Sequence, residues 1–227
     1  MKFETHIDSK ALAVWLGEHV AKLLSDAVVQ KGSASIAVSG GGTPKLFFAE
    51  LSKQDIDWQN VTITLVDERW VEGTSERSNA KLVNDLLLQN YAANAKFLPL
   101  FNVDIKASQI NDIADKYKAL LPFDVVILGM GGDGHTASFF PGGNKLSDAT
   151  DLNAANILID MEAEGAGEPR VTFTLPPLIN ADETILHIEG ARKKQVFDEA
   201  KNKGDANALP IRHVLNNCPD LRIVWAL

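Results

Sequence analysis

The sequence predicts an α/β fold, a largely parallel twisted sheet with helices on both faces. Three observations carry this. Short apolar runs without alternation, such as ASIAV, VTITLV and FDVVIL, read as strands buried on both sides. They alternate with segments whose apolar residues recur at helical spacing. Polar or glycine-rich residues gather where three of these strands end, the side on which open α/β sheets bind ligands.

The elements follow in order. Residues 8–32 form a helix: Asp8 or Ser9 caps its start, Leu12, Trp15, Leu16, Val20, Leu23 and Leu24 share a face, and Gly32 closes it. ASIAVSGGG is a buried strand running into glycine, and TPKLFFAELSK begins a helix with Thr43 at the N-cap and Pro44 at the first helical position. Residues 61–66 are the next strand, with Asp67, Glu68 and Arg69 at its end. SNAKLVNDLLLQ, capped by Ser78 or Asn79, and ASQINDIADKYKALL are helices; FDVVILGMG is a third buried strand. AANILID, RVTFTL and ETILHIEG read as strands, ARKKQVFDEAK and LPIRHVLNN as helices, and LRIVWAL as a final strand. There is no repeat and no linker; EAEGAGEP, residues 162–169, is a loose acidic surface loop. The expectation is one Rossmann-like domain over residues 1–227.

Bulk properties narrow the function. A formal charge of -8 argues against a broad nucleic-acid surface and leaves room for an anionic small ligand only where positive groups are locally focused. The single cysteine, Cys218, excludes an internal disulfide and a multi-cysteine metal site, which fits a reducing compartment. Glu4 and Asp8 interrupt the region where a signal peptide would be apolar, and no stretch is long enough to span a membrane. The expectation is a cytoplasmic protein with no nucleic-acid or membrane partner, monomeric or weakly homo-oligomeric.

The first cluster is SGGGTP. Ser39, Gly40, Gly41, Gly42 and Thr43 join a strand to a helix, where close backbone approach and free N–H groups suit a phosphate. It is not a Walker A loop, since Thr-Pro-Lys follows the last glycine. A tight turn without ligand needs fewer glycines. The second cluster, DERWVEGTSERSN, offers Arg69 or Arg77 to a phosphate or a developing oxyanion; alone it reads equally as a surface ion-pair cluster.

The third cluster is GMGGDGHTAS. GMGGDG matches G-x-G-x-x-G, but Pro141 and two glycines cut short the helix a dinucleotide site needs, and no acidic residue ends a following strand at the right distance. The better reading is a bend that presents Asp133 and His135. Imidazole suits proton transfer near neutral pH, and a neighbouring carboxylate fixes its tautomer. HTASFF is expected as a short helical piece with N–H groups for an anion. His6, His19, His187 and His213 lie in helices, strands or the terminal segment and read as structural. No G-x-S-x-G nucleophile elbow and no H-E-x-x-H metal motif occur. Metal ligation by Asp133 and His135 finds no support in a second His-rich motif.

Taken in order, SGGGTP, DERWV…SN, GMGGDGHTASFFPG, PRVTFTLPPLINAD and GARKK resemble the 6-phosphogluconolactonases, within the glucosamine/galactosamine-6-phosphate isomerase superfamily. The resemblance implies hydrolysis of the lactone of 6-phosphogluconate, an oxidative step of the pentose phosphate pathway. It implies a phosphorylated sugar lactone as partner and no metal or organic cofactor. It casts His135, Asp133 and Arg69 as catalytic, and Ser39, Gly40, Gly41, Gly42, Thr43, Asp67, Gly131, Arg170 and Lys193 as contacts to substrate or phosphate. Lys193 is the Lys of a G-x-x-K pattern, and Asp67 is expected on a sugar hydroxyl. The rival within the superfamily is glucosamine-6-phosphate deaminase, whose comparable motif places a Glu where this chain has Phe140; a Phe cannot carry a proton. A non-catalytic sugar-phosphate-binding protein on the same fold is the third reading.

Overall fold

A computed structural model describes residues 1–227. Along the chain run β1 (Lys2–Thr5), α1 (Ser9–Lys31), β2 (Ala34–Val38), α2 (Lys45–Leu51), β3 (Val61–Leu65), β4 (Asp67–Arg69), α3 (Asn79–Leu86) and β5 (Lys96–Leu98). Then come α4 (Asp115–Lys118), β6 (Val125–Leu128), α5 (Leu146–Thr150), β7 (Leu158–Met161), β8 (Arg170–Phe173) and α6 (Leu175–Ile179). β9 (Glu183–Glu189), α7 (Ala191–Ala200), α8 (Ile211–Asn217) and β10 (Arg222–Ala226) complete it.

Seven strands form one sheet in the order β1-β10-β9-β6-β2-β3-β5, every neighbouring pair parallel. The central strands β2, β3 and β6 are buried almost throughout, which is why they carry Val, Ile, Leu and Ala without alternation. The α/β expectation therefore holds, and 58 buried residues form one continuous core. α1 is capped as expected: Asp8 accepts from the Ala11 amide at 2.7 Å, and Gly32 ends the helix at φ 80°, where a side chain would be strained. Its buried stripe includes Leu12, Leu16, Val20 and Leu24.

The structure corrects several local expectations. Residues 67–69 are not a strand tail but a strand of a second sheet, β4-β8-β7, with both pairings antiparallel. This small sheet sits beyond the carboxyl end of β3 and carries Asp67, Arg69 and Arg170. Thr43 is not an N-cap: α2 begins one residue after Pro44 and has no side-chain cap. HTASFF is not helical but a set of turns with one isolated bridge, Thr136 to Phe139. Residues 107–118 split into a 3₁₀ segment, Ala107–Ile113, and the single turn α4. β1, β5, α5 and α6 had no sequence signal strong enough to predict. No helix is long and apolar enough to cross a membrane.

Candidate active site

The carboxyl ends of β2, β6 and β9 meet β4 and β8 around a cleft of about 250 Å³. Ser39, Gly40, Gly41, Gly42, Thr43, Asp67, Arg69, Gly131, His135, Arg170 and Lys193 all line it. All three sequence clusters therefore converge, although up to 150 residues separate Thr43 from Lys193, whose Nζ donates to the Thr43 hydroxyl at 2.7 Å.

The bend after β6 is built by hydrogen bonds that close on themselves. The Gly131 amide donates to the His135 carbonyl at 2.8 Å, and Gly134, at φ 79°, donates to the Gly131 carbonyl at 3.1 Å. Thr136 Oγ1 donates to the Gly129 carbonyl at 2.7 Å, and the Gly129 amide donates to Ser39 Oγ at 3.0 Å, tying this bend to the first glycine turn. Ala137, at φ 49°, is a non-glycine residue in the left-handed region, a strain characteristic of functional turns. The bend sets the Asp133 carboxylate against His135: Oδ1 lies 2.6 Å from Nδ1 and also accepts from the His135 amide at 3.2 Å. A carboxylate only accepts, so Nδ1 carries the hydrogen, and in the neutral ring the lone pair is on Nε2. Nε2 has no protein partner, and the ring lines the cleft.

That contact holds Asp133 at about 2, because the hydrogen bond from His135 favours its ionised form more than partial burial opposes it. An unfolded Asp titrates near about 3.9. The stabilisation from ionised Asp133 is thus complete above about pH 4 and lost as pH falls through about 2. Across the neutral range Asp133 is a fixed anion beside the imidazole.

The second wall is cationic. Arg170, expected next to a loose loop and so at risk of being a surface cation, is 6 % exposed. Its guanidinium donates to the Ala166 carbonyl at 2.6 Å, lies 4.0 Å from Asp67 Oδ2 and sits 5.3 Å above the Phe140 ring. Phe140 in turn packs against the His135 ring at 4.5 Å. Of the two arginine candidates, Arg69 faces the cleft and Arg77 turns away to pair with Glu168 at 2.9 Å. Asp67 Oδ2 accepts from Ser138 Oγ at 2.6 Å.

Glu68 holds this wall without touching the cleft. Fully buried, it accepts the amides of Arg69, Asn79 and Ala80, each at 2.7 Å, and the Ser78 hydroxyl at 3.1 Å. Burial pushes its pKa up, against the pull of those four donors. Glu68→Gln keeps the volume but turns an NH2 toward donors. We expect a loss of about 1–3 kcal/mol of stability, read as a lower denaturant midpoint at unchanged slope. An unchanged midpoint would mean the donors find other acceptors.

The amides of Gly40, Gly41, Gly42 and Thr43 donate to no protein acceptor. Gly41 needs its glycine, at φ 89°, and a Cβ on Gly40 would sit 1.9 Å from Asn79 Oδ1. The result is a small concavity of N–H groups beside the Lys193 ammonium, the chemistry that binds an anion. Gly131 lines the cleft, but its own amide is taken by the His135 carbonyl. No three His, Cys, Asp or Glu side chains gather as metal ligands.

Two polar side chains on the cleft wall lie outside the expected set. Asn79, read only as a possible helix cap, donates from Nδ2 to the Asp67 carbonyl at 2.9 Å and packs on Gly40. His187, read as structural, also reaches the cleft. A histidine within an otherwise apolar parallel strand, close to its carboxyl end, was the available signal.

A family model described as Glucosamine-6-phosphate isomerases/6-phosphogluconolactonase matches residues 7–225. A 6-phosphogluconolactonase of Rhizobium meliloti is 48 % identical over 231 residues, covering all of both chains. One from Neisseria meningitidis serogroup A is 40 % identical, over 89 % of this chain and 88 % of its own. The crystal structure of a 6-phosphogluconolactonase from Shewanella baltica superposes with a TM-score of 0.95 at 38 % identity, covering 100 % of this chain and 98 % of its own. A monomeric glucosamine-6-phosphate deaminase shares the fold, with a TM-score of 0.82 at 16 % identity over 100 % of this chain and 97 % of its own.

Proposed function

Because the chain belongs to the family of glucosamine-6-phosphate isomerases and 6-phosphogluconolactonases, we propose that its cleft hydrolyses 6-phospho-D-glucono-1,5-lactone to 6-phosphogluconate. One observation carries the reading: an imidazole with a bare Nε2, oriented by Asp133, shares a cleft with a cluster of free amides and the Lys193 ammonium. The first is suited to an ester carbonyl and the second to a phosphoryl group.

Water attacks the ring carbonyl while His135 Nε2 accepts its proton. Asp133 stabilises the imidazolium so formed. Charge on the carbonyl oxygen falls to Arg69, the guanidinium on the cleft wall. The tetrahedral species then expels the ring oxygen, and His135 returns the proton to it, leaving a hydroxyl and a carboxylic acid that ionises to the carboxylate and releases one proton to solvent. Asp67, held by Ser138, faces the sugar hydroxyls. The phosphoryl group rests on the amides of residues 40–43 and on Lys193, with Ser39 fixing the turn. Arg170, expected at the phosphate from the family resemblance, lines the same cleft as residues 40–43 and Lys193, and its contacts with Asp67 and Phe140 hold it there as a further cation for the ligand. A positioned base contributes about 10²–10⁴ in rate and an oxyanion contact about 10²–10³, sufficient for an ester that already hydrolyses in water.

Phe140 opposes the deaminase alternative. It is 2 % exposed and flanked by His135 and Arg170, so no carboxylate occupies the place that ring-opening chemistry requires. A phosphate anchor predicts a specific split. Lys193→Ala removes a charge-assisted hydrogen bond, worth about 1.5–3 kcal/mol, and should raise KM for the phosphorylated lactone about 10- to 100-fold with kcat little changed. Turnover of unphosphorylated glucono-δ-lactone should be indifferent to the same change. Equal loss on both lactones would remove Lys193 from the phosphate site.

A further inference from the structure

His187 has no part in the hydrolysis described above, yet it reaches the same cleft. It lies on β9 and is 1 % exposed. Nε2 is 2.8 Å from Glu189 Oε1, and Glu189 in turn accepts from Ser9 Oγ at 2.7 Å. The carboxylate only accepts, so Nε2 carries the ring hydrogen. Nδ1 is then a bare acceptor, buried and with no partner.

The surrounding charges give that lone pair a use. Lys193 from α7 and His6 from the segment after β1 lie near enough to act on the ring electrostatically, and the Phe47 ring of α2 meets it edge-on at 6.2 Å. Glu189 is the carboxylate facing it. Without ligand, burial holds the imidazole neutral and also lowers the Lys193 pKa. The Lys193 ammonium and the Glu189 carboxylate then cancel. An arriving phosphate ester is largely dianionic at neutral pH, since its second pKa is about 6. The amides of residues 40–43 supply partial charge, and Lys193 supplies one whole charge already offset by Glu189. Arg69 and Arg170 add positive charge from the second wall, where Arg170 already faces Asp67 at 4.0 Å; a phosphoryl dianion beside His187 favours protonation of its imidazole.

We propose that His187 Nδ1 takes one proton when a phosphorylated ligand seats against Thr43 and Lys193, and donates it as a hydrogen bond to a phosphoryl oxygen. The proton comes from solvent or from the P–OH of the monoanionic ester. Nε2–H stays on Glu189, so the ring becomes an imidazolium held at both nitrogens. The inference rests on the reading that this end of the cleft holds the phosphoryl group. His187 is thereby a second binding group for phosphate and makes affinity depend on pH separately from the His135 chemistry.

Nitrogen NMR of the wild-type protein tests this directly, with 6-phosphogluconate and with unphosphorylated gluconate as probes. Bound 6-phosphogluconate should convert the His187 Nδ1 signal from bare to protonated, and gluconate should not. Between pH 7 and 8 the dissociation constant for 6-phosphogluconate should rise by up to about tenfold in the wild type and stay nearly flat in His187→Gln. His187→Phe, an alternative if Gln is not tolerated, should behave as His187→Gln does. A wild type that binds 6-phosphogluconate with Nδ1 still bare, or a variant with the same pH slope, would overturn the inference. Failure of the wild type to bind 6-phosphogluconate would instead overturn the phosphate reading beneath it.

Discussion

His135→Ala will lower kcat by about 10²–10⁴-fold and leave KM within a few-fold of the native value. The asymmetry follows from where the ring sits. It lines the cleft and its Nε2 has no protein partner, whereas the free amides and Lys193 supply the proposed phosphate affinity. The lost group acts only as charge develops. Asp133→Asn should lose nearly as much, because an amide can accept or donate and so no longer dictates which ring nitrogen holds the hydrogen. Removing both should cost little more than removing His135 alone, since the two act as a unit. A large rise in KM with intact kcat would make His135 a binding residue and end the general-base assignment.

Gly131→Ala should approach the same loss without touching a functional group. A Cβ there would lie 2.3 Å from Cε1 and Nδ1 of His135 and 2.5 Å from Asp133 Oδ1. Neither contact is possible, so the imidazole or the carboxylate must leave its place. Both side chains are partly exposed, at 33 % and 47 %, and can swing outward without disturbing the core. We therefore expect kcat to fall by about 10²-fold or more with the thermal midpoint nearly unchanged. Gly132→Ala is the internal control. Its Cβ would meet only the guanidinium of exposed Arg192, at 3.0–3.2 Å, which can move aside. If both variants keep full activity, the geometry of the Asp133–His135 pair does not govern the rate.

The sequence made this site more legible than the fold around it. Buried parallel strands such as β2 and β6 announce themselves by unbroken apolar runs, and the glycines that follow them mark sharp bends. Two strands of the small antiparallel sheet show in AANILID and RVTFTL, but β4 and the pairing that makes a second sheet of them do not. Its strands have three or four residues, and β4 pairs with β8 across about a hundred residues of chain, a contact no local pattern encodes. β1 was missed for a related reason. It is a mostly exposed edge strand whose partner, β10, lies at the opposite end of the chain. Thr43 shows how a local rule yields to a tertiary contact: a good capping residue preceding Pro44 meets Lys193 instead of capping α2. His187 shows the converse, a side chain dismissed as structural because it lay in a strand. The strand's direction, toward the glycine turns, was the information that mattered.

The central claim is that this cleft accelerates opening of a phosphorylated lactone by water. It is tested most directly with freshly prepared 6-phospho-D-glucono-1,5-lactone at neutral pH, following acid release and subtracting the rate in buffer alone. A saturable excess rate is expected in the wild type, nearly vanishing in His135→Ala. A wild-type rate equal to buffer, accompanied by ammonia release from glucosamine 6-phosphate, would contradict it.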